Sequence, residues 1–80
     1  MPRVHYENGY RFFLYSNEGS PREPPHVHVE RDDADAKFWL EDPPRRADSH
    51  GFSAQELLAI SRIVARERTK MEAKWHEHFR

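Results

Sequence analysis

From Arg3 to Glu7 the chain alternates polar and apolar residues, and after Asn8-Gly9 it resumes with the strand formers Tyr10-Arg11-Phe12-Phe13-Leu14-Tyr15. Asn-Gly supplies the two positive-φ residues of a type I′ turn, so a two-residue β-hairpin is predicted. Ser16 to Pro25 contains three prolines, Gly19 and two serines, a composition that removes backbone donors and favours turns, so it reads as a loop. A third strand follows over His26 to Arg31, in which His26, His28 and Glu30 face one way and Val27 and Val29 the other. Asp32-Asp33 turns the chain. A fourth strand, about Asp35 to Glu41, puts Ala36, Phe38 and Leu40 on one side and Lys37, Trp39 and Glu41 on the other. Asp42-Pro43-Pro44 through Gly51 reads as a second loop that ends the sheet.

Ser53-Ala54-Gln55-Glu56 has the form of a capping box, so a helix is expected to start there. Leu57, Ile60, Val64, Met71, Trp75 and Phe79 recur at helical spacing and form one apolar stripe, with Leu58 and Ile63 off it and Arg68 near its centre. No proline or glycine interrupts residues 54 to 79, so the helix can run about 39 Å at 1.5 Å per residue, against a four-stranded sheet only about 19 Å across. The predicted architecture is α+β: a four-stranded antiparallel meander packed on one long C-terminal helix, in a single domain over residues 1–80.

One helix covers one face of a sheet, and strand parity predicts what stands on the other. On the hairpin, Val4, Tyr6, Phe13 and Tyr15 are assigned to the core, leaving Arg3, His5, Glu7, Tyr10, Phe12 and Leu14 on the open side. On the later strands Val27, Val29, Phe38 and Leu40 point inward, leaving His26, His28, Glu30, Lys37 and Trp39 outward. An uncovered patch of imidazoles, cations and aromatics marks an interaction surface.

Composition narrows the chemistry. Eighty residues make one small domain with a thin stability margin. With no cysteine, disulfides and thiolate sites are excluded, and any metal must be held by His, Asp or Glu. Thirteen basic residues against fourteen acidic ones remove the overall basicity of a strong nucleic-acid binder, so such binding would need a local patch. No apolar run approaches bilayer length, and Met1-Pro2-Arg3 leads directly into a strand-like pattern, so no membrane association and a cytoplasmic location are expected.

The segments Gly9-Tyr10-Arg11-Phe12-Phe13-Leu14-Tyr15-Ser16-Asn17-Glu18 and Pro24-Pro25-His26-Val27-His28-Val29-Glu30 together resemble the bacterial domain of unknown function 4160 family. The similarity continues through Ala36-Lys37-Phe38-Trp39-Leu40, Gly51-Phe52-Ser53 and Lys74-Trp75-His76-Glu77. Members are often encoded beside a second protein of unknown function, and the pair is regarded as a toxin–antitoxin module. The resemblance implies that this chain is the toxin, with a cognate antitoxin encoded by an adjacent gene, and it maps His26 and His28 onto the family's paired histidines. Pro43-Pro44-Arg45-Arg46 makes the second loop more proline-rich and basic than the family pattern.

Three readings of the site stay open. His26 and His28, two apart on one strand, stand about 6.5–7 Å apart and can reach one phosphate or one metal ion. As a ribonuclease pair they would serve as base and acid, with Arg11, Lys37 or Arg31 as the cation and Tyr10, Phe12, Lys37 and Trp39 binding substrate, Trp39 or Tyr10 as the stacking platform. As metal ligands they would need Glu30, His5 or His50 to complete the set, and no cofactor is expected. In the third reading the histidines are structural and bond to carbonyls of the preceding Pro-Pro turn. The partners foreseen are the antitoxin and RNA, with a homodimer left open. His76 and His78 lie about 200° apart on the helix, where they cannot chelate together.

Overall fold

The computed structural model describes residues 2–15 and 23–79. The expected loop over Ser16 to Pro25, and with it Ser16-Asn17-Glu18, falls largely outside the described residues. The described chain forms β1 (Arg3–Glu7), β2 (Tyr10–Phe13), β3 (His26–Arg31), β4 (Ala34–Trp39), β5 (Arg45–His50) and α1 (Ala54–His78). All strand pairs are antiparallel and neighbours in sequence are neighbours in the sheet, so the sheet is a five-stranded meander with α1 across one face. The fold is α+β as expected, with one strand more than the four the hydrophobic pattern reveals.

That added strand, β5, lies in the segment expected to be a loop. Arg-Arg-Ala-Asp-Ser-His carries no apolar alternation, and all but Ser49 of its residues are exposed. It is an edge strand, held from one side by its ladder to β4 and by little burial of its own. The register shifts between Lys37 and Phe38, which leaves Ala47 as the extra residue of a bulge.

The turns follow their residues. Asn8 and Gly9 have φ of 53° and 82°, as the hairpin requires. Asp32 has φ 54° between β3 and β4, a left-handed conformation that Asp tolerates better than most residues. Gly51, φ 88°, joins β5 to the helix where a Cβ would stand 3.1 Å from that of Ala34. The Asp42–Pro43 peptide is cis.

The Ser53 capping box forms as expected: the Ser53 hydroxyl accepts from the Glu56 amide at 3.1 Å, and the Glu56 carboxylate accepts from the Ser53 amide at 2.8 Å. Ile60, Val64, Met71, Trp75 and Phe79 are buried and Leu57 partly so. Ile63, expected off the stripe, is buried too, while Leu58 is half exposed. Arg68 pairs with Glu72 one turn along the same helix at 3.1 Å.

The assignment of faces on the hairpin is reversed from the expectation. Tyr10, Phe12 and Leu14 lie in the core with Val27, Val29, Ala36, Phe38 and Leu40, whereas Tyr6 is 57% exposed. β2 carries large side chains on both faces, so its own pattern does not choose between them. The choice is made by β3: Phe12 pairs with Val29, and paired residues share a face. A register shift in β1 between Arg3 and His5 then allows Val4 to remain in the core although Tyr6, opposite Arg11, does not.

A rim of polar contacts ties the sheet to the helix. Lys70 donates to Nδ1 of His5 at 2.7 Å and Nε2 of His5 donates to Glu7 at 2.9 Å, while Arg66 pairs with both Glu7 and Glu67. Beside the same hairpin turn Arg31 donates to the Asn8 carbonyl at 3.3 Å, stacks 4.3 Å from the Tyr10 ring and pairs with Glu56. The His5 imidazole and the Arg66 guanidinium hold the Glu7 carboxyl below the usual range. The Ser53 amide, then its hydroxyl and Arg31, do the same for Glu56, and Arg66 and Lys70 for Glu67.

Two outcomes are expected. Phe12→Ala should cost about 3–5 kcal/mol in urea unfolding, and Tyr6→Ala under about 1 kcal/mol; the reverse order would restore the opposite face assignment. Because all three carboxyls have folded pKa values below their unfolded ones, their stabilisation is present above about pH 4.3 and is lost as pH falls through the folded values. Glu7→Gln should therefore lower stability at neutral pH and flatten its decline in acid, as read from urea midpoints across pH.

Candidate functional site

The ladder pairings place the outward side chains in rows across the face opposite α1, which no element among the described residues covers. One row reads Tyr6, Arg11, Glu30, Asp35 and His50 from β1 to β5. The next reads Arg3, Phe13, His28, Lys37 and Asp48, and the third His26, Trp39 and Arg45. Side chains in neighbouring rows stand two residues apart along β2, β3 and β4, so their rings meet, and the bulges of β1 and β5 widen the step to three at Arg3 and Arg45.

They form a continuous aromatic group. The His28 ring lies 4.1 Å from Tyr15, 6.0 Å from Phe13 and 5.3 Å from His26, and His26 lies 5.5 Å from Trp39. Cations border it: Lys37 Nζ stands 4.5 Å and the Arg45 guanidinium 5.8 Å from the Trp39 ring, and Arg3 lies 5.4 Å from Tyr6. Each of three cations has an acid close by. Lys37 bonds Glu23 at 2.7 Å, Arg45 reaches Glu41 at 3.1 Å, and Arg11 stands 3.5 Å from Glu30. Glu41 raises the Arg45 pKa above its ordinary value. The patch is thus rich in charge but near balance.

The two histidines are not equivalent. His26 is only 1% exposed. Its Nδ1–H donates to the Pro24 carbonyl at 2.9 Å, and its ring also approaches Trp75 of the helix at 6.5 Å. Beside it the Leu40 amide donates to the Pro25 carbonyl at 2.9 Å. Proline has no N–H to enter a ladder, so the turn is fastened through its carbonyls, one by the following imidazole and one by the residue after β4. This is the structural role foreseen for a histidine after two prolines. His28 is half-buried on the uncovered face.

Of the residues expected at the site, the sheet brings His26, His28, Arg11, Glu30, Lys37 and Trp39 onto one face. Tyr10 and Phe12 are not there: both are buried under the helix, for the register reason given above. His5 lies on the helix side, and Glu30 stands against Arg11, so neither joins His26 and His28. Among the described residues no group of three or more His, Asp or Glu side chains is arranged to hold a metal ion. Tyr6 and Phe13, expected in the core beneath the helix, stand instead on the opposite face, Tyr6 exposed and Phe13 buried among its neighbours, while Arg3 keeps the side expected for it. The hairpin sequence carries no signal that chooses the face, which is set by the pairing of Phe12 with Val29.

With the geometry in place, comparison with known proteins adds one result. The sequence profile of Domain of unknown function (DUF4160) matches residues 9–76. The chain belongs to the DUF4160 family. No curated protein and no solved structure matches it. The matched DUF4160 region contains β2 to β5 and nearly all of α1, and so includes most of the uncovered face apart from the side chains of β1. Among the described residues no helix is long and apolar enough to cross a membrane.

His26→Ala removes a buried ring and leaves the Pro24 carbonyl without its donor. It should cost about 2–4 kcal/mol in urea unfolding, with His28→Ala costing distinctly less. Equal losses would show that His26 does not fasten the turn.

Proposed function

We propose that the chain is one half of a two-protein bacterial module of the toxin–antitoxin kind, and that it binds its protein partner through the uncovered sheet face. The observation that carries this is the aromatic group on the side away from the helix, in which half-buried Tyr15, His28 and Trp39 surround buried Phe13, bordered by cations already matched by acids. A near-neutral, aromatic and amphipathic patch suits a folded protein surface, in which aromatic and arginine anchors contribute most of the affinity. A polyanion would favour a surface with excess positive charge.

A second reading keeps the toxin role, with RNA or the translation machinery as target. The placement of Trp39 between Lys37 and Arg45 favours it, since an indole flanked by cations can stack a base and meet its phosphate. The enclosure of His26 argues against an acid–base pair with His28. In this reading the chain binds its target and His28 alone is the candidate proton carrier.

Co-expression with the product of the adjacent gene tests the first reading. The pair should co-purify, and Trp39→Ala should weaken it by about thirtyfold, the size of a hot-spot loss of about 2 kcal/mol. A chain that never captures the neighbouring product, or a folded Trp39→Ala variant that binds it unchanged, would reject the assignment. Growth inhibition by the chain alone, abolished in a folded His28→Ala variant, would favour the RNA reading.

A further inference from the structure

The second candidate surface lies at the β5 end of the sheet, on the helix side. A groove of about 300 Å³ runs between β5 and the start of α1, lined by Phe38, Pro44, Arg46, Leu57, Leu58 and Ser61 among others. Leu58 is 51% exposed at its lip, a large apolar side chain that no neighbouring element covers. The strand beside it, β5, is last in the sheet order, and among the described residues no backbone hydrogen bond reaches it from its outer side.

Charge decides the occupant. Arg46, paired with Phe38 in the ladder, stands on the groove side of β5, and Arg62 follows Leu58 by one helical turn. Both are exposed, and among the described residues neither has a carboxylate within ion-pair distance, unlike Arg45, Arg66 and Arg68 elsewhere on the molecule. One unmatched guanidinium, Arg46, thus lines a groove of mixed polar and apolar character beside an unpaired strand edge, and a second, Arg62, lies one helical turn beyond Leu58. A second copy of the chain would bring its own β5, whose Arg45 and Arg46 outnumber Asp48, so the net positive charge of both edges opposes such pairing. An acidic segment would be drawn to it.

We propose that β5 accepts an extended acidic segment of a protein partner as a sixth strand, with an apolar side chain seated against Leu57 and Leu58 and its carboxylates beside Arg46 and Arg62. Main-chain bonds to the edge supply affinity and the groove supplies selectivity, as in other strand-addition complexes. The site is separate from the uncovered face and does not depend on the function proposed for it.

The test uses the full chain and two blocked peptides, one alternating leucine with glutamate and one alternating leucine with lysine, followed by amide NMR shifts. The acidic peptide should shift residues 45–50 and the signals around Leu58, and should bind at least about tenfold more tightly than the basic one. Arg46→Glu and Leu58→Asp, each shown to be folded by circular dichroism, should each weaken it about tenfold. Trp39→Ala should leave it unchanged, so failure at this site and failure at the uncovered face are read separately. Equal affinity for the two peptides, no binding at millimolar concentration, shifts confined to the uncovered face, or an unchanged Arg46→Glu variant would each overturn the proposal. So would pairing of the chain with itself through β5, read from concentration-dependent mass.

Discussion

The register of β3 is the constraint on which the rest of the molecule depends. Val29 is paired with Phe12 on one side and Ala36 on the other, and all three are buried. Once that row faces the helix, alternation sends Arg11, Phe13, His28, Glu30, Lys37 and Trp39 to the opposite side without further choice. A one-residue slip would exchange the two sets and expose the core, which is why a strand buried on both neighbours fixes its register so firmly.

The two ends of the helix are held by different means. At its start a capping box, an ion pair to Arg31 and the glycine at position 51 bring α1 close against the β3–β4 turn. Toward its end the attachment is apolar, through Met71, Trp75 and Phe79, with Trp75 reaching the His26 ring. Between them, Arg66 and Lys70 link the helix to β1 through Glu7 and His5. These exposed ion pairs orient rather than stabilise greatly, since each is screened by solvent. Hydrophobic burial under the helix remains the main favourable contribution.

The same burial shapes the candidate site. His26 belongs to the fold more than to the surface, because its ring fastens a turn whose prolines lack donors. His28, two residues later, stands where the sheet opens. Two histidines that look alike in a His-x-His pattern are thus separated by what lies beyond the end of the strand, where Pro24, Trp39 and Trp75 close around the first and leave the second on the face.

Sequence alone determined the features set by local chemistry. Asn8-Gly9 specified the hairpin, Asp32-Asp33 the second turn, Ser53 and Glu56 the helix start, and the valines of β3 with Phe38 of β4 and the following Leu40 the inward side of those strands. These depend on backbone preference and on periodicity within a few residues, which a single chain displays. Tertiary structure decided the rest. Tyr10-Arg11-Phe12-Phe13-Leu14-Tyr15 offers aromatic side chains to both faces, so only its pairing with Val29 could choose. Arg45–His50 has no apolar pattern, so only the free edge of β4 could make it a strand. The enclosure of His26 likewise arises from residues distant in the chain, because burial depends on what packs against a side chain and not on its position in a repeat.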